Sequence, residues 1–361
     1  MLSVYKNTTW VWFPWLLCAL IYFAYGFHPG STNSLLRLVT ALYVWMLGMM
    51  AITIGSTPFF MENFRKILFV VLLGVTGSIW MDVINPGTFG YNSMRPAGLL
   101  LNANRAGLVI VLTTVVIIDW SKYSTFNFMV FAVAGFGVLS TFSMGGILML
   151  GGTFFLYLIY VELRKGIRPE QLAFLIILPI LLLGTLAVSG DLISEVFEFY
   201  GTVGAQKRME QIQGIFRGNF EFVTGAERMG LVKQFWADVQ AAPFVGHGIE
   251  YYRPGLGPHN MFLFVWTNIG FIGFTIFMLF LTGTTVFFFN HRHICGLVYM
   301  INIFLFCLVG HGLLNGEQSH TFKIALLAGI VAAGQLGERR NEGPEREEIM
   351  KSVAFSPLQK A

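Results

Sequence analysis

The sequence predicts an all-α polytopic integral membrane protein, with about ten transmembrane helices and one large external loop containing amphipathic helices. Three observations predict it. Charged residues make up only 12% of the 361-residue chain, against roughly 25% in a soluble globular domain. Apolar runs recur along the whole length, each about as long as the ~20 residues a helix needs to cross a bilayer. Lys and Arg are concentrated in every second connection between those runs, as expected when basic loops stay on one side of a membrane.

The runs lie near 10–27, 35–56, 66–84, 104–119, 126–142, 146–162, 171–189, 260–289, 294–313 and 321–336. No basic region or small-residue cleavage site accompanies the first, so it reads as a retained span rather than a signal peptide. The eighth is too long for one straight span and calls for a short helix at the membrane edge, leading into the span proper. Arg65 and Lys66, Lys122, Arg164, Lys165 and Arg168, Arg292, and Arg339 and Arg340 occupy alternate loops. The loops near 28–34, 142–145 and 311–320 carry no Lys or Arg. This pattern puts both termini in the cytoplasm and residues 190–258 outside, in a periplasm-like compartment. The chain then divides into an N-terminal bundle (1–189), the external loop (190–258), C-terminal spans (259–337) and a cytoplasmic tail (338–361).

Within the loop, residues 193–218 and 224–243 both read as amphipathic helices. In the second, Thr224 and Glu227 form a capping box. Met229, Val232, Phe235 or Trp236, and Val239 recur at helical spacing, and Pro243 stops the helix. Gly246, Gly248, Gly255 and Gly257 then make a flexible approach to His259.

The net charge of +4 is too small and too dispersed to suggest nucleic acid. Cys18, Cys295 and Cys307 show neither metal-ligand spacing nor a disulfide framework and read as small core residues. Arg95 and Arg105 break the sidedness rule by lying externally, ahead of the fourth span. They are either headgroup contacts or parts of an anion site, the default reading of charge beside a membrane. Arg228, in the first helical turn where the macrodipole disfavours cations, is either solvated or part of an anion-binding helix end. His259 is either an interfacial cap or a titratable group in use. Asp82, near an external span end, could orient a base or a cation. His247 and His311 read as structural.

Four segments resemble the O-antigen ligase and polymerase superfamily. "HNMFLFVWTNIGFIG" fits H-[NSQ]-x9-G-x-x-G through His259, Asn260, Gly270 and Gly273. "ERMGLVKQFWADVQAAPFVGHGI" is similar to the Arg- and Trp-bearing stretch that ends in a Pro-x-x-Gly-x-Gly turn. "RPAGLLLNANRAG" resembles the R-x-x-G…N-x-N element, and "STFSMGGILML" the Ser-rich span end. They occur in the expected order between about residues 95 and 275. Ser143–Met144 departs from the pattern, because relatives commonly carry Ser-Arg there.

The resemblance implies a membrane glycosyltransferase of the GT-C-like class in the bacterial inner membrane, with its active site facing the periplasm. Its donor would be a glycan on undecaprenyl diphosphate and its acceptor a lipid A–core hydroxyl. A departing diphosphate needs fixed cations, a role that falls to Arg95, Arg105 and Arg228, whose planar forks suit phosphate oxygens. The acceptor proton needs a base that titrates near working pH, and an unperturbed imidazole such as His259 does so near 6.5. The catalytic pair is then His259 and Arg228, with Asn260 behind them orienting the ring or the hydroxyl. Gly270 and Gly273 read as sites of close helix packing. No cofactor or metal is implied, since the external acids show no Asp-x-Asp pair. A polymerase of the same superfamily, or a non-enzymatic transporter of lipid-linked sugars, are the rival readings.

Overall fold

A computed structural model describes residues 58–89, 95–166, 226–248, 259–290 and 292–310. The spans expected at 10–27, 35–56, 171–189 and 321–336 lie outside the described residues, as do the loop helix at 193–218 and the cap residue Thr224.

The described residues are helical, with no strand among them. In chain order they form α1 (Pro58–Ile84), a 3-10 turn (Gly98–Leu100), α2 (Ala103–Ile117), α3 (Thr125–Ser140) and α4 (Met144–Lys165), followed by α5 (Ala226–Ala241), α6 (Met261–Asn290) and α7 (Ile294–Val309). Three stretches are long and apolar enough to cross a membrane: Asn63–Ile84, Met144–Lys165 and Met261–Asn290. Helix α1 starts earlier than its apolar run. Pro58 is tolerated at a first helical position, where its missing N–H costs nothing, so Arg65 and Lys66 ride on the helix instead of in a loop.

Helix α2 is the centre of the bundle and packs on α1, α3, α4 and α7. Every residue from Ala106 to Ile117 is buried, as befits a helix that is apolar all round. Its two buried threonines satisfy themselves, since Thr113 and Thr114 donate to the carbonyls of Val109 (2.7 Å) and Ile110 (2.9 Å). A β-carbon on Gly146 of α4 would lie 3.2 Å from the Gly107 α-carbon, so these two glycines set how closely α2 and α4 cross.

The two ends of the bundle differ chemically. At one end Arg65 pairs with Asp119 at 3.8 Å, and the Lys165 ammonium sits 4.1 Å from the centre of the Tyr123 ring. Asn127 clasps the α2–α3 connection, donating to the Asp119 carbonyl (2.9 Å) and accepting from the Asp119 amide (2.9 Å). Burial raises the Asp119 carboxyl, but hydrogen bonds from Ser121 and the charges of Arg65 and Lys122 outweigh it and leave the pKa below its ordinary value. Helix α7 begins at this end, where Cys295 donates to the Val115 carbonyl at 3.4 Å, and Arg292 precedes it. Among the described residues the basic connections therefore gather at one pole, and Arg95 lies at the other.

Candidate functional site

At the pole opposite the basic loops, the sequence folds its polar residues into a cradle for Arg95. Asp82, buried near the end of α1, accepts from the amides of Ala97 (2.9 Å), Gly98 (3.3 Å) and Gly87 (3.1 Å). Its carboxylate thus pins the segment that carries Arg95, a structural role for a residue that could otherwise have oriented a base. Gly98 is needed in that segment: its φ is +55°, and a β-carbon there would strike the Ser78 hydroxyl and come within 2.7 Å of the Ile79 nitrogen.

One Arg95 guanidinium nitrogen donates to the Phe142 carbonyl (3.2 Å) and reaches the Asn104 side-chain oxygen (3.5 Å). That same Asn104 oxygen accepts from the Ser143 hydroxyl at 3.2 Å. Asn104 therefore joins the R-x-x-G…N-x-N segment to the Ser-rich span end, a hub that residue-by-residue reading of charges passes over. Asn102 caps α2 by accepting from the amides of Asn104 and Arg105 (3.0 and 3.2 Å), and Ser143 caps α4 through the Gly146 amide (3.3 Å). Arg105 is the third residue of α2 and Arg228 the third of α5. Both positions add a cation to the positive end of a helix. The Arg228 side chain lies outside what the structure describes.

The second pair of motifs meets at α6, which is broken at Gly270 (φ 65°, ψ −170°). The break divides the long apolar run into a short helix and the span proper, as its length required. Beyond it the short segment doubles back. The ring of Phe262 lies 6.2 Å from that of Phe277 and 5.4 Å from that of Phe304 in α7. In a straight helix, residues 262 and 277 would be about 22 Å apart.

The Pro-x-x-Gly-x-Gly turn after α5 fits into this break by exchanging hydrogen bonds with it. The break frees the carbonyls of Thr267 and Asn268, which accept from the amides of His247 (2.8 Å) and Gly248 (2.9 Å). In return the Pro243 carbonyl accepts from the Phe271 amide (2.9 Å) and from the Trp266 indole (3.0 Å). Glycine is required on both sides of the contact. A β-carbon on Gly270 would run into the Phe244 carbonyl, and one on Gly246 would lie 2.6 Å from the Asn268 carbonyl. Gly246 and Gly248, expected to make a flexible approach, are fixed parts of the turn. Gly270, expected to pack helix on helix, packs on a turn. The His247 ring also bonds the Asp238 carbonyl at 2.8 Å, as a structural histidine would.

Helix α5 matches the helical spacing of its sequence. Phe235 and Val239 are buried, while the exposed Trp236 meets Trp266 edge-on at 5.9 Å.

His259 is half-buried and directly precedes the α6 cap, Asn260, whose side-chain oxygen accepts from the Leu263 amide at 3.0 Å. The backbone φ of His259 is +49°, unusual for a residue with a β-carbon. The same conformation occurs at Leu101, Phe142 and Arg292, each immediately ahead of a capping residue, so it marks a chain reversal into a capped helix rather than strain at a reactive group. The reversal of α6 matters more for His259. Helix α2 begins about 22 Å from the basic pole, and doubling back returns the Asn260 end of α6 to the level of Phe277 and Phe304, about 15–20 Å from that pole. Among the described residues, no group of three or more His, Cys, Asp or Glu side chains could hold a metal ion. No protein-family model matches the chain, and no curated protein matches it.

Proposed function

We propose that the protein is a metal-independent membrane glycosyltransferase of the O-antigen ligase type, with about ten spans and a GT-C-like fold. In this reading it lies in the bacterial inner membrane with the Arg95 pole facing the periplasm. The donor glycan, carried on undecaprenyl diphosphate, is transferred to a hydroxyl of lipid A–core. His259 takes the proton from that hydroxyl, whose oxygen bonds to the anomeric carbon. The bond from that carbon to the diphosphate breaks, and the charge left on the diphosphate is met by Arg95, Arg105 and Arg228. Asn260 keeps its carbonyl on the helix cap, so its amide N–H groups are the part that can orient the ring or the acceptor.

One observation carries the proposal. The four segments that resemble the superfamily associate in two pairs, Arg95 with Asn104 and Ser143, and the Pro243–Gly248 turn with the Gly270 break. That motifs spread over about 180 residues pair in this way supports the reading that they serve one site.

The experiment is the glycolipid profile of a strain lacking the gene. Bare lipid A–core beside intact lipid-linked polymer is the expected result. Core bearing a single repeat unit would make the protein a polymerase of the same superfamily. An unchanged profile would remove the proposal.

A further inference from the structure

The turn between α5 and α6 carries two large apolar side chains outward. Phe244 is 70% exposed and Val245 56%. They sit at the apex of the doubled-back helix, beside Phe271 and Ile272, which are themselves 47% and 58% exposed. From Ile272 an exposed stripe runs down the span through Thr275, Leu279, Thr282, Val286 and Phe289, at the three- and four-residue spacing of a single helix face. The two threonines in that stripe turn their hydroxyls back onto the carbonyls of Phe271 (2.8 Å) and Met278 (2.7 Å). That removes their hydrogen-bonding demand on water, as a lipid-facing surface requires.

Phe244 and Val245 are exposed at the end of the helix where this stripe begins, held there by the bond from the Phe271 amide to the Pro243 carbonyl. The backbone around them is non-helical, which a bilayer tolerates only where its polar groups find partners within the protein. Proline leaves position 243 without an N–H, and its carbonyl takes two donors. The amides of Gly246, His247 and Gly248 bond to Ala242, Thr267 and Asn268, whereas those of Phe244 and Val245 take no acceptor among the described residues. That holds their backbone at the headgroup edge, where lipid oxygens and water can serve it. Trp236 and Trp266, ring to ring beside the turn, belong to the residue type enriched where a bilayer meets water. The length also fits: residues 271–290 make about 30 Å of helix, the thickness of a hydrocarbon core, so the apex falls at its edge.

We propose that the Pro243–Gly248 turn is a membrane anchor, with Phe244 and Val245 seated among the phospholipid acyl chains of the leaflet at the Arg95 pole. The segment from His259 to Ile269 folds back from that apex, so the same leaflet receives the His259 end. The anchor does not rest on the proposed transfer reaction, and no substrate enters its test.

The test places nitroxide labels at Phe244→Cys and Val245→Cys, in full-length chain lacking Cys18, Cys295 and Cys307, reconstituted into phosphatidylglycerol and phosphatidylethanolamine vesicles. Lys233→Cys serves as the aqueous reference and Leu279→Cys as the deep one. The ratio of oxygen to nickel-chelate collision rates should be several-fold higher at 244 and 245 than at 233, and lower than at 279. Ratios at 244 and 245 equal to that at 233 would overturn the proposal. The unsubstituted chain gives an independent measurement with lipids bearing a diazirine in the upper acyl chain. Adducts should map to residues 243–248 as well as to the α6 span, and adducts on the span alone would contradict the anchor.

Discussion

Replacing Gly270 by alanine tests the junction between α5 and α6 at its narrowest point. The backbone there has φ 65° and ψ −170°, a region open in practice only to glycine, and holding another residue in it costs about 1–3 kcal/mol. The added methyl also has nowhere to go, because it would overlap the Phe244 carbonyl. The chain can relieve the overlap by expelling the turn. It then forfeits the bonds from His247 and Gly248 to the α6 carbonyls and from Phe271 to Pro243, each worth about 1 kcal/mol net. A straightened helix recovers part of this by closing its own ladder. The net loss is therefore about 2–4 kcal/mol. Thermal unfolding in detergent, scanned identically for each variant, should show a clear drop in midpoint. Hydrogen exchange of peptides covering residues 243–248 should accelerate even at temperatures well below it. Gly151→Ala is the matched control: it lies in α4 with nothing within 4 Å of the added carbon, so it should be neutral or stabilising by up to about 1 kcal/mol. A Gly270→Ala protein that melts and exchanges like the parent would refute the exchange of hydrogen bonds described for this junction.

Three further outcomes follow from the other contacts. Asp82→Ala leaves the buried amides of Ala97 and Gly98 without their acceptor and should cost about 2–4 kcal/mol in unfolding experiments, with Asp82→Asn recovering part of it. Arg95→Lys keeps the charge but loses the planar fork, and should lower glycan transfer about 10- to 100-fold, the worth of one charge-assisted hydrogen bond, while the melting temperature stays near that of the parent. Asp119 has a carboxyl pKa held below its ordinary value, so its stabilising effect is complete above the unfolded value near 3.9 and is lost as pH falls through the folded one. The stability gap between the parent and Asp119→Asn should accordingly close on acidification below about pH 4, and a gap that widened there would reverse the assignment.

The six apolar runs that fall wholly or partly on described residues form helices there, because hydrophobic length is a local property that a sequence states outright. The helix at Ala226–Ala241 was legible for the same reason, from the spacing of Phe235 and Val239 and the stop at Pro243. The doubling back of α6 was not. The sequence shows only that 260–289 is too long, and the direction of a break depends on which backbone can approach Gly270, a tertiary fact. The role of Asn104 was hidden for a related reason. An asparagine two residues after another reads as a cap motif, and its bond to Ser143 joins positions 39 residues apart that only folding brings together. Charge alternation predicts sidedness, and among the described residues basic side chains gather at one end of the bundle around Arg65, Asp119 and Lys165.

The central claim is that His259 removes a proton in a glycan transfer conducted at the Arg95 pole. Its most direct test is the rate of transfer by purified, reconstituted chain from undecaprenyl-diphosphate-linked glycan to lipid A–core, comparing the parent with His259→Gln and His259→Ala. The glutamine variant retains hydrogen bonding but accepts no proton. Both variants should fall by about 100- to 10,000-fold while melting like the parent. A glutamine variant that transferred glycan at near the parent rate would contradict the base role, and an alanine variant that did the same would move the site away from His259 altogether.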